Sequence, residues 1–250
     1  MKKILLSLAV LTLSATTYAQ DDATVESILD TYFENIGGRE AWSKLEGHKI
    51  SAEVEAQGMT IPLEIYALKD GRTITRFSVM GMDLAQGAFD GEVSWSTNFM
   101  SMEPEKSDAE TTANTLLDSK DYPDPFLNYK ANGYSVELME EDMVDGVECY
   151  KLKLTKSPHI IDGEEVENVQ YYFFDKENFV PVQVEQEINS GEMKGQTSVT
   201  VFSDYQEVEG LYFPFSVTQK IKDGEGQTVE FSEIELNPEV EDEMFHFPEE

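Results

Sequence analysis

The chain has 250 residues, of which 50 are acidic and 18 basic, giving a formal net charge of −32 at neutral pH. Such a polyanion is repelled by nucleic acid and by anionic membrane surfaces, which excludes both as partners. A lone cysteine, Cys149, rules out an intramolecular disulfide and, within the strand-like run Val147-Glu-Cys-Tyr-Lys-Leu-Lys-Leu, reads as a small core hydrophobe.

The first segment reads as a secretory signal. Lys2 and Lys3 precede an apolar stretch from Ile4 to Leu13, and Thr17-Tyr18-Ala19 fits the small-x-small rule, so cleavage is expected after Ala19. That stretch, about ten residues, is too short to cross a hydrocarbon layer of roughly 30 Å. No cysteine lies near the cut to accept a lipid anchor. The expectation is a periplasmic protein with one domain over residues 20–250.

A helix opens this domain. Asp21 or Asp22 can cap it, and Val25, Ile28, Leu29, Tyr32, Phe33 and Ile36 recur at helical spacing until Gly37-Gly38 stops it. A second short helical piece, Glu40 to Leu45, carries Trp42. Period-two alternation then takes over. Strands are predicted at Ile50 to Gln57, Thr60 to Leu68, Thr73 to Met80, Asp83 to Phe89 and Val93 to Asn98, with Lys69-Asp70-Gly71 and Asp90-Gly91 as turns. Further strands follow at Tyr134 to Glu141, Val147 to Thr155, Glu167 to Phe174, Val180 to Ile188, Thr197 to Gln206, Leu211 to Lys222 and Gln227 to Leu236. With no helices alternating among them, these favour an antiparallel meander of about 11–12 strands.

Met102 to Asn132 interrupts the meander and shows no strand pattern. Asp108 to Ser119 reads as a weak helix bearing Leu116 and Leu117. Asp124-Pro125 is expected to start another, presenting Phe126, Leu127 and Tyr129. Elsewhere each strand has one wet and one dry side: Val180, Val182, Val184 and Ile188 share a face opposite Gln183, Glu185 and Glu187. Leu63 with Ile65, Val93 with Trp95 and Val199 with Val201 alternate likewise. A sheet this wide with one dry face closes, splits or curls around its own helices. So little helix leaves two outcomes open, a lined cavity or a packed core.

Nothing in the sequence assembles a catalytic or metal site. His48 (at a strand entrance), His159 (in a turn after Pro158) and His246 (in the tail) are far apart, without metal-ligand spacing, and read as structural or solvated. No nucleophile elbow or phosphate-binding glycine loop occurs, so neither an enzyme nor a cofactor is expected.

Several strings resemble the LolA/LolB-like superfamily of outer-membrane lipoprotein-sorting proteins. They are Phe89-Asp-Gly-Glu-Val-Ser-Trp, Gly146-Val-Glu-Cys-Tyr-Lys-Leu-Lys-Leu, Tyr171-Tyr-Phe-Phe-Asp followed by Val180-Pro-Val, Tyr205-Gln-Glu-Val-Glu-Gly-Leu-Tyr-Phe-Pro, and the terminal run from Asn237 to Pro248. The resemblance spans the mature chain and implies a curled, incomplete antiparallel barrel around a hydrophobic cavity, with an N-terminal helix and a helical lid insert. The strong acidity departs from it. The expected acyl-chain lining is Leu63, Ile65, Phe77, Trp95, Phe173, Val182, Val184, Val201, Phe215 and Val217; the lid residues are Leu116, Leu117, Phe126 and Leu127. Of Arg72 and Arg76, Arg76 is the better candidate for a basic contact to the lid. The implied role is a monomeric carrier of acyl chains or lipoprotein cargo, served by inner- and outer-membrane donor and acceptor proteins. The alternative is an envelope binding module on the same fold.

Overall fold

The computed structural model describes residues 23–56 and 58–248; the expected signal segment and its cleavage site lie outside them. Helix α1 spans Val25–Asn35. Its N-cap is Thr24, in extended backbone, in place of the expected Asp21 or Asp22, which lie outside the described residues. Thr24 Oγ1 accepts from the Ser27 amide at 3.1 Å and Ser27 Oγ accepts from the Thr24 amide at 2.9 Å. This reciprocal pair satisfies two amides that helix geometry leaves free. The helix ends where Gly37 and Gly38 take φ of 113° and 93°. A Cβ on Gly37 would lie 2.2 Å from the Gly210 carbonyl oxygen, so only glycine fits there. Helix α2, Arg39–Ser43, follows.

All twelve expected strands are present, and the sheet has fourteen. Their spans are β1 Gly47–Ala56, β2 Met59–Leu68, β3 Thr73–Val79, β4 Met82–Phe89, β5 Ser94–Asn98, β6 Glu103–Lys106 and β7 Ser135–Leu138. The rest are β8 Asp142–Val144, β9 Val147–Ile161, β10 Glu164–Asp175, β11 Pro181–Glu187, β12 Thr197–Val208, β13 Leu211–Ile221 and β14 Gly226–Leu236. The two additions, β6 and β8, carry no alternation because they are short, four and three residues, and peripheral. β6 is an edge strand that tolerates Pro104, and β8 pairs only with the start of β9. The strand order is β6-β5-β4-β3-β2-β1-β14-β13-β12-β11-β10-β9-β7, an open antiparallel sheet that curls as a half-barrel.

Between β6 and β7 lie helix α3, Ala109–Asp118, and a 3-10 turn, Ser119–Asp121. The expected helix after Asp124-Pro125 does not form. That stretch runs as successive turns, in which the Asp124 carboxylate takes the Phe126 amide at 2.8 Å and holds the backbone in a local turn.

Two apolar clusters fill the two sides of the sheet. The larger packs α1 and Trp42 against the concave face, with Ile28, Leu29, Phe33, Leu152, Leu154 and Phe174 nearly inaccessible. The smaller lies on the convex face, where Tyr66, Leu68, Ile74, Ala88 and Trp95 enclose Phe245 from the C-terminal segment.

Candidate functional site

Cross-strand register decides which side chains share a face, because partners directly opposite point the same way and neighbours along a strand alternate. Ile50 lies opposite both Ile234 and Ile65, and Ala52 lies opposite Leu63, itself opposite Phe77. Leu152 opposes Tyr172, which opposes Val184; Val182 and Val184 therefore share the concave face. Val217 opposes Phe202, and Phe215 belongs to the large cluster on the same side. Seven of the expected lining residues are thus brought together: Leu63, Ile65, Phe77, Val182, Val184, Phe215 and Val217.

The other three are not. Phe173 opposes Lys151 and Gln183, and Val201 opposes Gln183, so both point to the convex face. There Phe173 lies beneath the Lys151 ammonium, 4.9 Å from its ring centre. Trp95 also faces outward and donates from Nε1 to the Phe245 carbonyl at 2.8 Å. Arg76, the expected lid contact, opposes Ala85 and is exposed on the convex side, away from the lid.

On the concave face, Phe215 is packed beneath α1, whereas Leu63, Ile65, Phe77, Val182, Val184 and Val217 are only half-buried and lie outside both clusters. α1 therefore covers one part of the dry face and leaves another part uncovered. Val182 also borders a cleft of about 590 Å³ with Ile36, Val180, Phe202 and Tyr205 at the end of α1. Helix α3 touches β5 at one side of the half-barrel and β9 at the other. Its Asn114 makes two hydrogen bonds to the backbone of Ile160, and Thr112 Oγ1 lies 3.4 Å from the Ser94 amide. None of its residues is buried; Leu116 is 50% exposed and Leu117 half-buried. A helix bridging the gap without burying a side chain is a cover, not a core element. Phe126 and Leu127 behave differently. Phe126 is 1% exposed and packs edge-on against Tyr172 and Phe174, so it anchors the returning chain in the large cluster. Leu127 packs against that cluster too.

The group that fastens the cover is Lys156. Its ammonium, buried on β9, lies 2.9 Å from Asp118 at the end of α3 and 2.6 Å from Asp121 in the 3-10 turn. Burial works against the charged amine, but the two carboxylates outweigh it and hold the Lys156 pKa above the usual lysine range. Burial also raises the Asp121 carboxyl, and Lys156 offsets this only in part. Tyr134 donates to Asp121 at 3.0 Å. His159 lies within β9, not in a turn, 3.1 Å from Asp118 and 2.9 Å from Asn168. Asn168 and Gln186 continue the chain of polar contacts across the sheet. Sequence reasoning passed over this network. Its one signal was Lys156 itself, which follows Leu152 and Leu154 at the next dry position of the strand.

A second half-buried carboxyl, that of Asp124, ties the same segment to α1. Asp124 accepts from the Tyr32 hydroxyl at 2.7 Å, and enclosure pushes its pKa up to about 6 despite that hydrogen bond. His48, a member of β1, stacks on Tyr122 with ring centres 5.6 Å apart, and desolvation lowers its pKa to about 4.

Solved structures share this architecture. A DUF1329 family protein from Desulfovibrio piger superposes with a TM-score of 0.54 at 14% identity, covering 89% of this chain and 97% of its own. A LolA superfamily protein from Nitrosomonas europaea gives 0.51 at 14%, covering 90% and 98%. A putative outer membrane lipoprotein-sorting protein domain from Vibrio parahaemolyticus gives 0.52 at 12%, covering 87% and 94%. The fold is LolA-like. No curated protein matches the sequence. Residues 103–248, running from β6 through the cover helix to the C-terminal segment, match the model of a family described as "-like: Uncharacterized protein". That is more than half of the chain, and the protein belongs to this family.

Proposed function

We propose that the protein is a periplasmic carrier that holds acyl chains of lipids or lipoproteins on its concave face and delivers them toward the outer membrane. The observation that carries this reading is the dry face that α1 leaves uncovered, Leu63, Ile65, Phe77, Val184 and Val217, together with a helix that reaches from β5 to β9 and buries none of its own residues. Each methylene withdrawn from water there gains about 0.8 kcal/mol, so one chain supplies several kcal/mol without any catalytic group. In this reading the chain is exported, loses its first segment after Ala19 and works as a monomer between a donor and an acceptor in the two membranes.

Native mass spectrometry with lipid extraction tests it on protein purified from the periplasm. The expected result is a co-purifying phospholipid or acylated peptide, lost in a Phe77→Ser/Val184→Ser variant. A clean unliganded mass together with no uptake of a fluorescent fatty acid overturns the reading.

A further inference from the structure

Consecutive antiparallel strands put the β1–β2, β3–β4 and β5–β6 hairpin tips on one rim of the half-barrel. These tips expose apolar side chains to an unusual degree. Met80 is 85% exposed, Met100 96% and Phe99 61%, with Met59 and Met82 beside them. No charged residue occurs between Glu55 and Glu64, between Arg76 and Asp83, or between Glu92 and Glu103, in a chain whose net charge is −32. Met80 and Met102 also occupy left-handed backbone, with φ of 53° and 60°. Elsewhere such positions in this protein are filled mostly by Asp, Asn or Gly, which accept that conformation at lower cost. At Met80, which is almost fully exposed, packing does not explain the methionine.

We infer that this rim is a membrane-contacting surface that seats on a zwitterionic bilayer by inserting Met80, Phe99 and Met100. Side chains projecting from separate tips, Met80 from β3–β4 and the Phe99-Met100 pair from β5–β6, match a fluid interface better than a folded partner, which would need a matching pocket for each. Flexible, unbranched methionine suits such an interface. The charge pattern selects among bilayers: uncharged tips meet a neutral surface, while the polyanionic body is repelled by an anionic one. The rim is also continuous with the concave face, because Phe99 lies 6.2 Å from Phe77, centre to centre. On the carrier reading, on which the role of this contact rests, that aromatic pair gives an acyl chain an apolar path from bilayer to protein.

The test is sedimentation of the mature protein with phosphatidylcholine vesicles, alone or mixed with phosphatidylglycerol. A Met80→Asn/Phe99→Ser/Met100→Ser variant is compared; Asn suits the left-handed position, and all three side chains are exposed, so folding is retained and checked by melting. Expected are pelleting of the wild type with phosphatidylcholine, at least tenfold weaker partitioning of the variant, and weakening on adding phosphatidylglycerol at low salt. Failure of the wild type to pellet, or equal pelleting of the variant, overturns the inference; so does loss in the variant of a protein contact while vesicle binding is unchanged. Uptake of a fluorescent fatty acid below its micellar concentration, with no bilayer present, is measured in parallel. If that uptake fails while pelleting persists, the carrier reading falls and the membrane contact stands.

Discussion

Asp124 shows how one enclosed side chain writes a pH dependence into the fold. Its carboxyl titrates near 6 in the folded protein and near 4 when the chain is unfolded. Between those values the folded state keeps a proton that the unfolded state has released. This site therefore adds stability as pH falls from about 6 to about 4, and withholds it at neutral pH. His48 has the opposite sign: its folded pKa lies near 4, below the unfolded value near 6.5, so its contribution is present above 6.5 and lost as pH falls toward 4. The two partly cancel in the wild type. An Asp124→Asn variant separates them. It is expected to exceed the wild type by about 2 kcal/mol at pH 7, with the difference vanishing by pH 4, as read by urea unfolding across that range. A difference independent of pH contradicts this origin.

At the scale of elements, the cover helix is held by few interactions, and Lys156 is central among them. Lys156→Met removes the charge while keeping the length of the side chain, leaving Asp118 and Asp121 without their cation. Removing one partner of a fully buried ion pair costs about 3 kcal/mol; the cost here is smaller, because Asp118 is 43% exposed, and it falls on the attachment of α3. The expected signature is faster amide exchange across residues 109–118, while the amides of α1, anchored by Phe33 and Leu29, are unchanged. Uniform acceleration throughout the chain contradicts a local latch.

The same elements show what could be read from the sequence. Period-two alternation located twelve strands and gave the dry side of β2, β11 and β13 correctly, since a half-buried strand announces its faces. Alternation within one strand does not say which dry side meets which across the sheet. Trp95 and Phe173 are apolar because they cover the convex face, one under the C-terminal segment and the other under Lys151. Only register distinguishes them from Phe77 and Val184. The polar network was hidden for a related reason: Asn168, Asp118 and Asp121 are brought to Lys156 by strand pairing and a helix end, not by sequence spacing.

Over the whole molecule, the two clusters on opposite faces each contain one of the two tryptophans, which makes them separately observable. Trp42 donates to the Ile36 carbonyl in the concave cluster, and Trp95 to the Phe245 carbonyl in the convex one. After Asn237 the chain crosses the outer face of the early hairpins. Arg72 bonds Asp242 at 2.7 Å and lies over the Phe245 ring, and Lys106 lies over Phe247. In a Trp42→Phe background the remaining emission reports on this strap alone. Phe245→Ala is expected to shift that emission to the red and to lower stability by about 3 kcal/mol, because a fully buried ring is replaced by a void. An unshifted spectrum contradicts the packing of Trp95 beneath the strap.

Pairing of β1 with β14 sets the order in which the molecule can assemble. A chain delivered N-terminus first presents β1 to β6 early, as a run of local hairpins whose inner neighbour is missing and whose convex side still lacks Phe245. Both deficits are made good by the stretch from Gly226 to Pro248, which arrives near the end. Non-local pairing of this kind is slow, since a long loop must close before its contacts repay the lost entropy. The seam between first and last strands is thus expected to close late: without the tail, the leading half lacks both the β14 partner of β1 and the ring that fills its convex cluster.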